Sequence, residues 1–416
     1  MLAALDRLVT AERARIYAIF LLVGYVAIWG WVGLTLRQGL DAQGKPFGAD
    51  FIIFYGASHL ALEGRATLAY VGGALVAAER TAVPASRGLF LWCYPPTFQL
   101  VVWPLGLLPY LTALAAWTAV GLAAYLATMR QVSRDPRMWL LALAFPGVFV
   151  NAAQGQTGFL VTALMGGGLL LLDRRPWVAG TLLGLLAIKL QFGVLLPLLL
   201  IGTGRWKATA AAAASAGALA ITATMILGVG SWADFLQAAT AASRALASGA
   251  LPLYKDPSLF SALLQFGAPA GVALVASALQ AVVIAGLTLV AWRRPGPLEL
   301  KAGLAVLATL IVLPYIFDYD LALLAIPIGV ALKAMLDRRA PAGIRSVLVL
   351  LALTPILVAP LGKWMHLPLG SVALWCGFFA MYRLLPAPLR TPSAELGREH
   401  PSGYAEASRP LLDVAP

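Results

Sequence analysis

Apolar residues fill stretches of roughly 18–22 positions along most of the chain, separated by short polar or basic turns. Runs this long, without two-residue alternation, predict helices rather than strands. A first span is expected over residues 16–36, followed by a long connecting segment over 37–93. Within that segment, residues 50–63 are apolar for only about half to two-thirds of a bilayer crossing. Tyr55, His59 and Glu63 recur there at four-residue steps and share one face. That pattern predicts an amphipathic helix lying in the outer interface, ended by the Gly64-Arg65-Ala66-Thr67 turn.

Residues 94–129 carry Pro95, Pro96, Pro104 and Pro109, which predict one broken helix because proline removes a backbone donor. Further spans are expected near 138–150, 157–172, 177–188, 191–203 and 208–228. A loop over 229–257 follows, and then spans near 270–292, 299–316, 319–336, 346–361 and 368–385. The sum is an all-α, polytopic membrane bundle of about 12 helices (roughly 11–13). It forms a single domain over residues 1–385, with a Pro-rich tail over 386–416. No internal repeat is visible, which argues against a transporter built from inverted halves.

Composition agrees with the pattern. The mean hydropathy is +0.84, more apolar surface than a soluble protein of this length can hide. The 40 Gly and 27 Pro are at home in membrane helices, where neighbours satisfy broken backbone bonds. The net charge of +12 would suggest nucleic acid if its location were ignored. The basic residues instead sit in short turns: Asp173-Arg174-Arg175, Arg205-Trp206-Lys207, Trp292-Arg293-Arg294-Pro295 and Asp337-Arg338-Arg339. Such turns mark the cytoplasmic side, so nucleic acid is excluded as a partner and both termini are expected inside. The basic stretch before the first span reads as a cytoplasmic tail leading into an uncleaved helix. Cys93 and Cys376 have no metal-ligand spacing, and neither His nor acid clusters form an expected metal site.

With this orientation, Asp50, His59, Arg87, Tyr94, Gln154, Gln156, Lys189, Lys255, Asp256, Asp318, Asp320 and His366 all fall on or near the external face. Asp50 heads an apolar segment, either as a plain helix N-cap or as a carboxylate offered to substrate. Asn151, Gln154 and Gln156 join two spans; their amides can hold sugar hydroxyls or cap a hairpin. Lys189 stands among apolar residues, where an ammonium needs an anion such as a lipid phosphate, or snorkels to the interface. Asp318 and Asp320, flanking Tyr319, diverge on a helix, so one can cap while the other faces a cavity. Tyr94, before Pro95-Pro96, can present its hydroxyl to the same cavity.

Taken in order, Asp50-Phe51-Ile52-Ile53-Phe54-Tyr55 with Gly64, Tyr94-Pro95-Pro96 with Trp103-Pro104-Leu105, residues 151–156, Ala179-Gly180 to Gly184 with Lys189, and Arg205-Trp206 resemble glycosyltransferase family 87. The resemblance covers residues 48–208; the Pro314-to-Asp320 segment looks like a further family element, though some relatives have histidine there. It implies a GT-C-type membrane enzyme that uses no cofactor and takes a sugar, with mannose first in line, from a polyprenyl-phosphate donor at the external leaflet. The acceptor would be a glycan or glycolipid hydroxyl, and the site would face the periplasm or exterior of an inner membrane. By this resemblance Asp50 is the general base of a single inverting displacement, and Lys189 and Arg87 are the candidates for the donor phosphate. Tyr55, His59, Tyr94, Asn151, Gln154, Gln156, Asp318, Tyr319 and Asp320 would line the substrate site. A flippase or transporter of polyprenyl-linked glycans, or a ligase releasing a polyprenyl diphosphate, is the alternative.

Overall fold

A computed structural model describes residues 10–386, except 38, 42, 43, 87–90 and 338–340. Every regular element among the described residues is helical, apart from isolated bridges that pair Arg37 with Leu40 and Leu40 with Pro46. Five helices are long and apolar enough to cross a membrane: Glu12–Thr35, Tyr110–Val132, Trp206–Leu227, Ala270–Arg293 and Ile344–Met365. The pair Pro136–Ala144 and Pro146–Gln154, bent by 48° at its break, makes a possible sixth. Pro146 accounts for the break, since it cannot donate to the helix that precedes it. Large apolar side chains such as Phe20, Val26, Met225 and Val282 stand out from the long helices, as a lipid-facing surface requires.

The remaining predicted spans are shorter helices, among them Gly158–Leu171, Leu298–Val312 and Leu369–Leu384. Their brevity has a physical reason. Leu298–Val312 is buried along almost its whole length, so protein rather than lipid surrounds its backbone and no full crossing is needed.

Two sequence expectations change. Helix Phe51–Leu62 is not an amphipathic surface helix: its residues are buried by protein from Phe51 to Ser58 and again at Leu60 and Ala61. Gly106 explains the close fit, because a Cβ there would collide with Leu62, Ser58 and the His59 backbone. The apolar content of this segment therefore covers protein, and Tyr55 and His59 pack against each other rather than face lipid. The expected loop over 229–257 also contains a helix, Gly230–Ala247. Its polar and apolar residues are mixed too evenly for a transmembrane signal, and exposed Leu236 and half-buried Trp232 accompany Asp234 and Arg244.

Glycine sets the tightest helix pair. Helices Pro176–Gly184 and Trp206–Leu227 touch through Gly180 and Gly184, where a Cβ would run into the Ala208 and Ala212 carbonyls and the Ser215 hydroxyl. Small residues allow membrane helices to approach this closely. Gly184→Val is expected to cost about 1–3 kcal/mol by overpacking, read as a lower unfolding midpoint in detergent; an unchanged midpoint would refute the contact.

Glu79, on helix Gly72–Ala82, is 1% exposed, and neither carboxyl oxygen has a hydrogen-bond partner. Burial pushes its carboxyl from the ordinary 4.5 up to about 8. The folded state therefore holds this proton where the unfolded chain releases it, and stability falls as pH rises between those two values. Glu79→Gln should flatten that part of the stability profile and leave the protein more stable at the alkaline end, as unfolding at several pH values would reveal.

The bundle has two chemically distinct ends. At one end Arg205 pairs with Asp173 at 2.7 Å and lies over Trp292, while Lys301 donates to the Trp292 and Arg294 carbonyls. Helix Gly158–Leu171 runs from Thr157 toward Asp173, about 20 Å at helical rise. Its opposite end carries the acids, amides and Lys189.

Candidate active site

A strained turn delivers Asp50. Gly48 and Ala49 both have positive φ, 81° and 32°, and such a backbone is costly for alanine. The turn is held by Ala49 N donating to the Pro46 carbonyl at 2.8 Å and by the Tyr110 hydroxyl donating to the Phe47 carbonyl at 2.6 Å. Asp50 begins helix Phe51–Leu62, but its side chain makes no capping bond. The plain N-cap reading therefore does not hold for this carboxylate.

A second turn meets the first. Asn151 Oδ1 accepts from the Gly158 N–H at 2.7 Å, closing the hairpin between helices Pro146–Gln154 and Gly158–Leu171. At its apex Gly155 adopts φ of 59° and lies so close that a Cβ would meet Phe51 at 2.6 Å. The Trp117 indole N–H pins the Gly155 carbonyl at 3.0 Å. This contact brings Gln156 Nε2 to within 3.0 Å of Asp50 Oδ2 as a donor. Gln156 Oε1 in turn accepts from the Tyr94 hydroxyl at 3.0 Å and from the Thr157 N–H at 3.2 Å.

Asp50 remains partly exposed, whereas Gln156 is buried. Crowding by protein raises the Asp50 carboxyl above the usual aspartate range, while the Gln156 hydrogen bond and the positive charge of Lys255 oppose that rise. No described hydrogen bond reaches Asp50 Oδ1, so one oxygen is left to meet another molecule.

The third element enters from the far side of the chain. Gln154 Nε2 donates to Asp318 Oδ1 at 3.0 Å, and the Tyr319 N–H donates to the same oxygen at 3.0 Å. Asp320 faces the other way, as the divergence of the two acids predicts. It takes Lys189 Nζ at 2.6 Å and the Phe317 N–H at 3.1 Å. Lys189 also donates to the Thr157 hydroxyl at 3.1 Å and sits beside the Phe192 and Tyr319 rings. Both partners are nearly inaccessible, at 6% and 3% side-chain exposure, so each charge depends on the other.

The Tyr94-Pro95-Pro96 segment is tied in on three sides. Its Tyr94 ring packs edge-on to Phe54, Tyr70 donates to the Tyr94 carbonyl at 2.8 Å, and Thr97 donates to the Ala187 carbonyl at 2.6 Å. Gln99 reaches the Ala57 and Ala66 carbonyls, locking the same segment to the helix that follows Asp50.

Of the residues expected at a substrate site, Asp50, Tyr94, Asn151, Gln154, Gln156, Asp318, Tyr319 and Asp320 are drawn together with Lys189. Tyr55 and His59 are not part of this network: Tyr55 donates to the Leu108 carbonyl at 2.9 Å and packs on Tyr110. Arg87 lies outside the described residues. The sequence pattern grouped Lys255 and Asp256 with the residues of this cluster but gave them no role. Their signal was a charged pair before Pro257 in a chain with few acids. Asp256 accepts from the Ser258 N–H at 2.9 Å, the Ser261 hydroxyl at 2.6 Å and the Ile316 N–H at 3.3 Å.

Fold and site together define a helical membrane protein in which a carboxylate with one unengaged oxygen is set among amides, tyrosines and further acids. The sequence model of glycosyltransferase family 87 matches residues 92–314. That is more than half of the 416 residues, and the chain belongs to this family. The matched region includes Tyr94, the 151–156 hairpin, Lys189 and Lys255, and it begins after Asp50 and ends before Asp318. No curated protein and no solved structure matches the chain.

Proposed function

We propose that this glycosyltransferase moves a sugar from a polyprenyl-phosphate donor to an acceptor hydroxyl on a glycan or glycolipid, with Asp50 as the general base. The observation that carries the reading is the single open oxygen of Asp50, oriented through Gln156 by Tyr94 and Thr157. A general base must lie within hydrogen-bond reach of the proton it removes. Asp50 Oδ1 can accept the acceptor's proton as its oxygen attacks the anomeric carbon and the bond from that carbon to the phosphate oxygen breaks. One displacement inverts the anomeric centre. The lipid phosphate leaves as an anion, so it needs a cation more than a general acid.

Gln154, Asp318 and Tyr319 offer the acceptors and donors from which a sugar pocket is built. Mannose is the proposed sugar, on the resemblance of the sequence alone. The basic cluster around Arg205 and Lys301 lies at the end opposite Asp50, and positive turns favour the cytoplasm. This supports a GT-C-like bundle in the inner membrane whose site faces the exterior.

Purified protein in detergent, given a polyprenyl-phosphate mannose and a glycolipid acceptor, should release polyprenyl monophosphate and an inverted glycoside. Transfer only from a polyprenyl-diphosphate-linked glycan supplied in place of this donor, with release of the polyprenyl diphosphate, would indicate a ligase. Lipid movement across a vesicle membrane without sugar transfer would indicate a flippase. A panel of polyprenyl-phosphate hexoses and acceptors that yields no transfer would refute the reading.

A further inference from the structure

A departing phosphate next to Asp50 and Asp318 meets two carboxylates, so the site needs a cation whose charge is still available. Lys189 does not have one to give. Its ammonium is held by Asp320 at 2.6 Å and Thr157 at 3.1 Å, and the Phe192 and Tyr319 rings occupy its flanks. Turning it toward a phosphate would strand Asp320, which is 2% exposed.

Lys255 is in the opposite situation. It ends the short helical turn Leu253–Lys255, is half-buried, and takes part in none of the described ion pairs or side-chain hydrogen bonds. Its position is nevertheless fixed. The next residue, Asp256, is anchored on Ser258, Ser261 and the Ile316 N–H. Gln265 adds a bond to the Leu253 carbonyl at 3.2 Å. Ile316 lies two residues before Asp318, so the Asp256 anchor holds Lys255 beside the segment that carries one carboxylate of the site. Its charge is felt at Asp318 and at Asp50, and at Asp50 more strongly than that of Lys189. A lysine with a fixed backbone and an unpaired ammonium suits a phosphate as a point charge.

We propose that Lys255 is the residue that contacts the donor's phosphate and stabilises it as it leaves, with Asp256 as the positioning residue that holds it there. This rests on the reading of the site as a sugar transferase. In the step, the acceptor oxygen forms its bond to the anomeric carbon and its proton goes to Asp50. The electron pair of the broken carbon–oxygen bond stays on the lipid phosphate, whose added negative charge meets the Lys255 ammonium. Lys189 and Asp320 stay paired throughout and brace the Asp318-Tyr319 backbone.

The test measures binding of farnesyl monophosphate and of farnesol to the full-length protein in nanodiscs, alongside sugar transfer. The wild type should prefer the phosphate. Lys255→Gln should lose that preference by about 10-fold or more and slow transfer, with Lys255→Arg restoring much of both. Asp50→Asn should lose transfer but keep the phosphate preference, which separates the base from the anion site. Undiminished preference in Lys255→Gln would overturn the proposal, even where wild-type transfer supports the enzyme reading. A wild type that prefers the phosphate through Lys255 but transfers no sugar would overturn the enzyme reading instead. Equal binding of farnesol and its phosphate by the wild type would also overturn the Lys255 site.

Discussion

Asp50→Asn is expected to lower the transfer rate by about 10²- to 10⁴-fold, the usual contribution of a positioned general base. The substitution keeps the shape of the side chain and an oxygen for Gln156, so the unfolding midpoint should stay close to that of the wild type. Loss of rate with retained folding is therefore the discriminating result, and a rate within a few-fold of the wild type would remove Asp50 from the chemistry. The pH profile adds a second check. A base works when ionised, and protein crowding raises the Asp50 carboxyl above the ordinary 3.8. The rate should fall on acidification at a pH above that of an ordinary aspartate, and this acidic limb should be absent from the residual activity of the Asn variant.

The largest stability effect is expected at Lys189. Lys189→Met leaves Asp320 as an uncompensated charge in a site that is almost closed to solvent. Removing one partner of a buried pair costs about 3–5 kcal/mol. Lys189→Met combined with Asp320→Asn removes both charges, and the Asn oxygen can still accept from Phe317 N, as Asp320 does. The double variant should recover most of the lost stability, so the two changes should be strongly non-additive in a double-mutant cycle. Detergent unfolding of the four proteins measures this directly. Additive losses would mean that the two side chains act independently. Because Asp320 neighbours Tyr319 and Asp318, the single variant should also impair transfer by loosening that backbone.

The membrane class of the chain was legible from the length of its apolar runs, and helices such as Ala270–Arg293 and Leu369–Leu384 fall close to their expected bounds. Helix Phe51–Leu62 was legible as a helix but not in its placement. An apolar segment shorter than a bilayer looks the same in sequence whether lipid or protein covers it, and only tertiary contacts such as that with Gly106 decide. The span count was blurred for the same reason, since buried helices like Leu298–Val312 need not reach full crossing length. Within the site, the divergence of Asp318 and Asp320 follows from their spacing alone. The pairing of Lys189 with Asp320 does not, because 131 residues separate them. Lys255 was overlooked because a lysine in a loop is unremarkable until Asp256 is found anchored across to Ile316.

One consequence of the Gln156 arrangement concerns which face of the carboxylate receives a proton. The Thr157 N–H can only donate, so it requires the oxygen of the Gln156 amide on its side, 3.2 Å away. The amide's NH2 is thereby committed to Asp50 Oδ2. A proton arriving at Oδ2 would oppose that N–H head-on, whereas Oδ1 meets no such competitor. The backbone amide of Thr157, two hydrogen bonds removed from the carboxylate through a side chain that never titrates, thus gives Asp50 a handedness: one oxygen held still and one open to accept a proton.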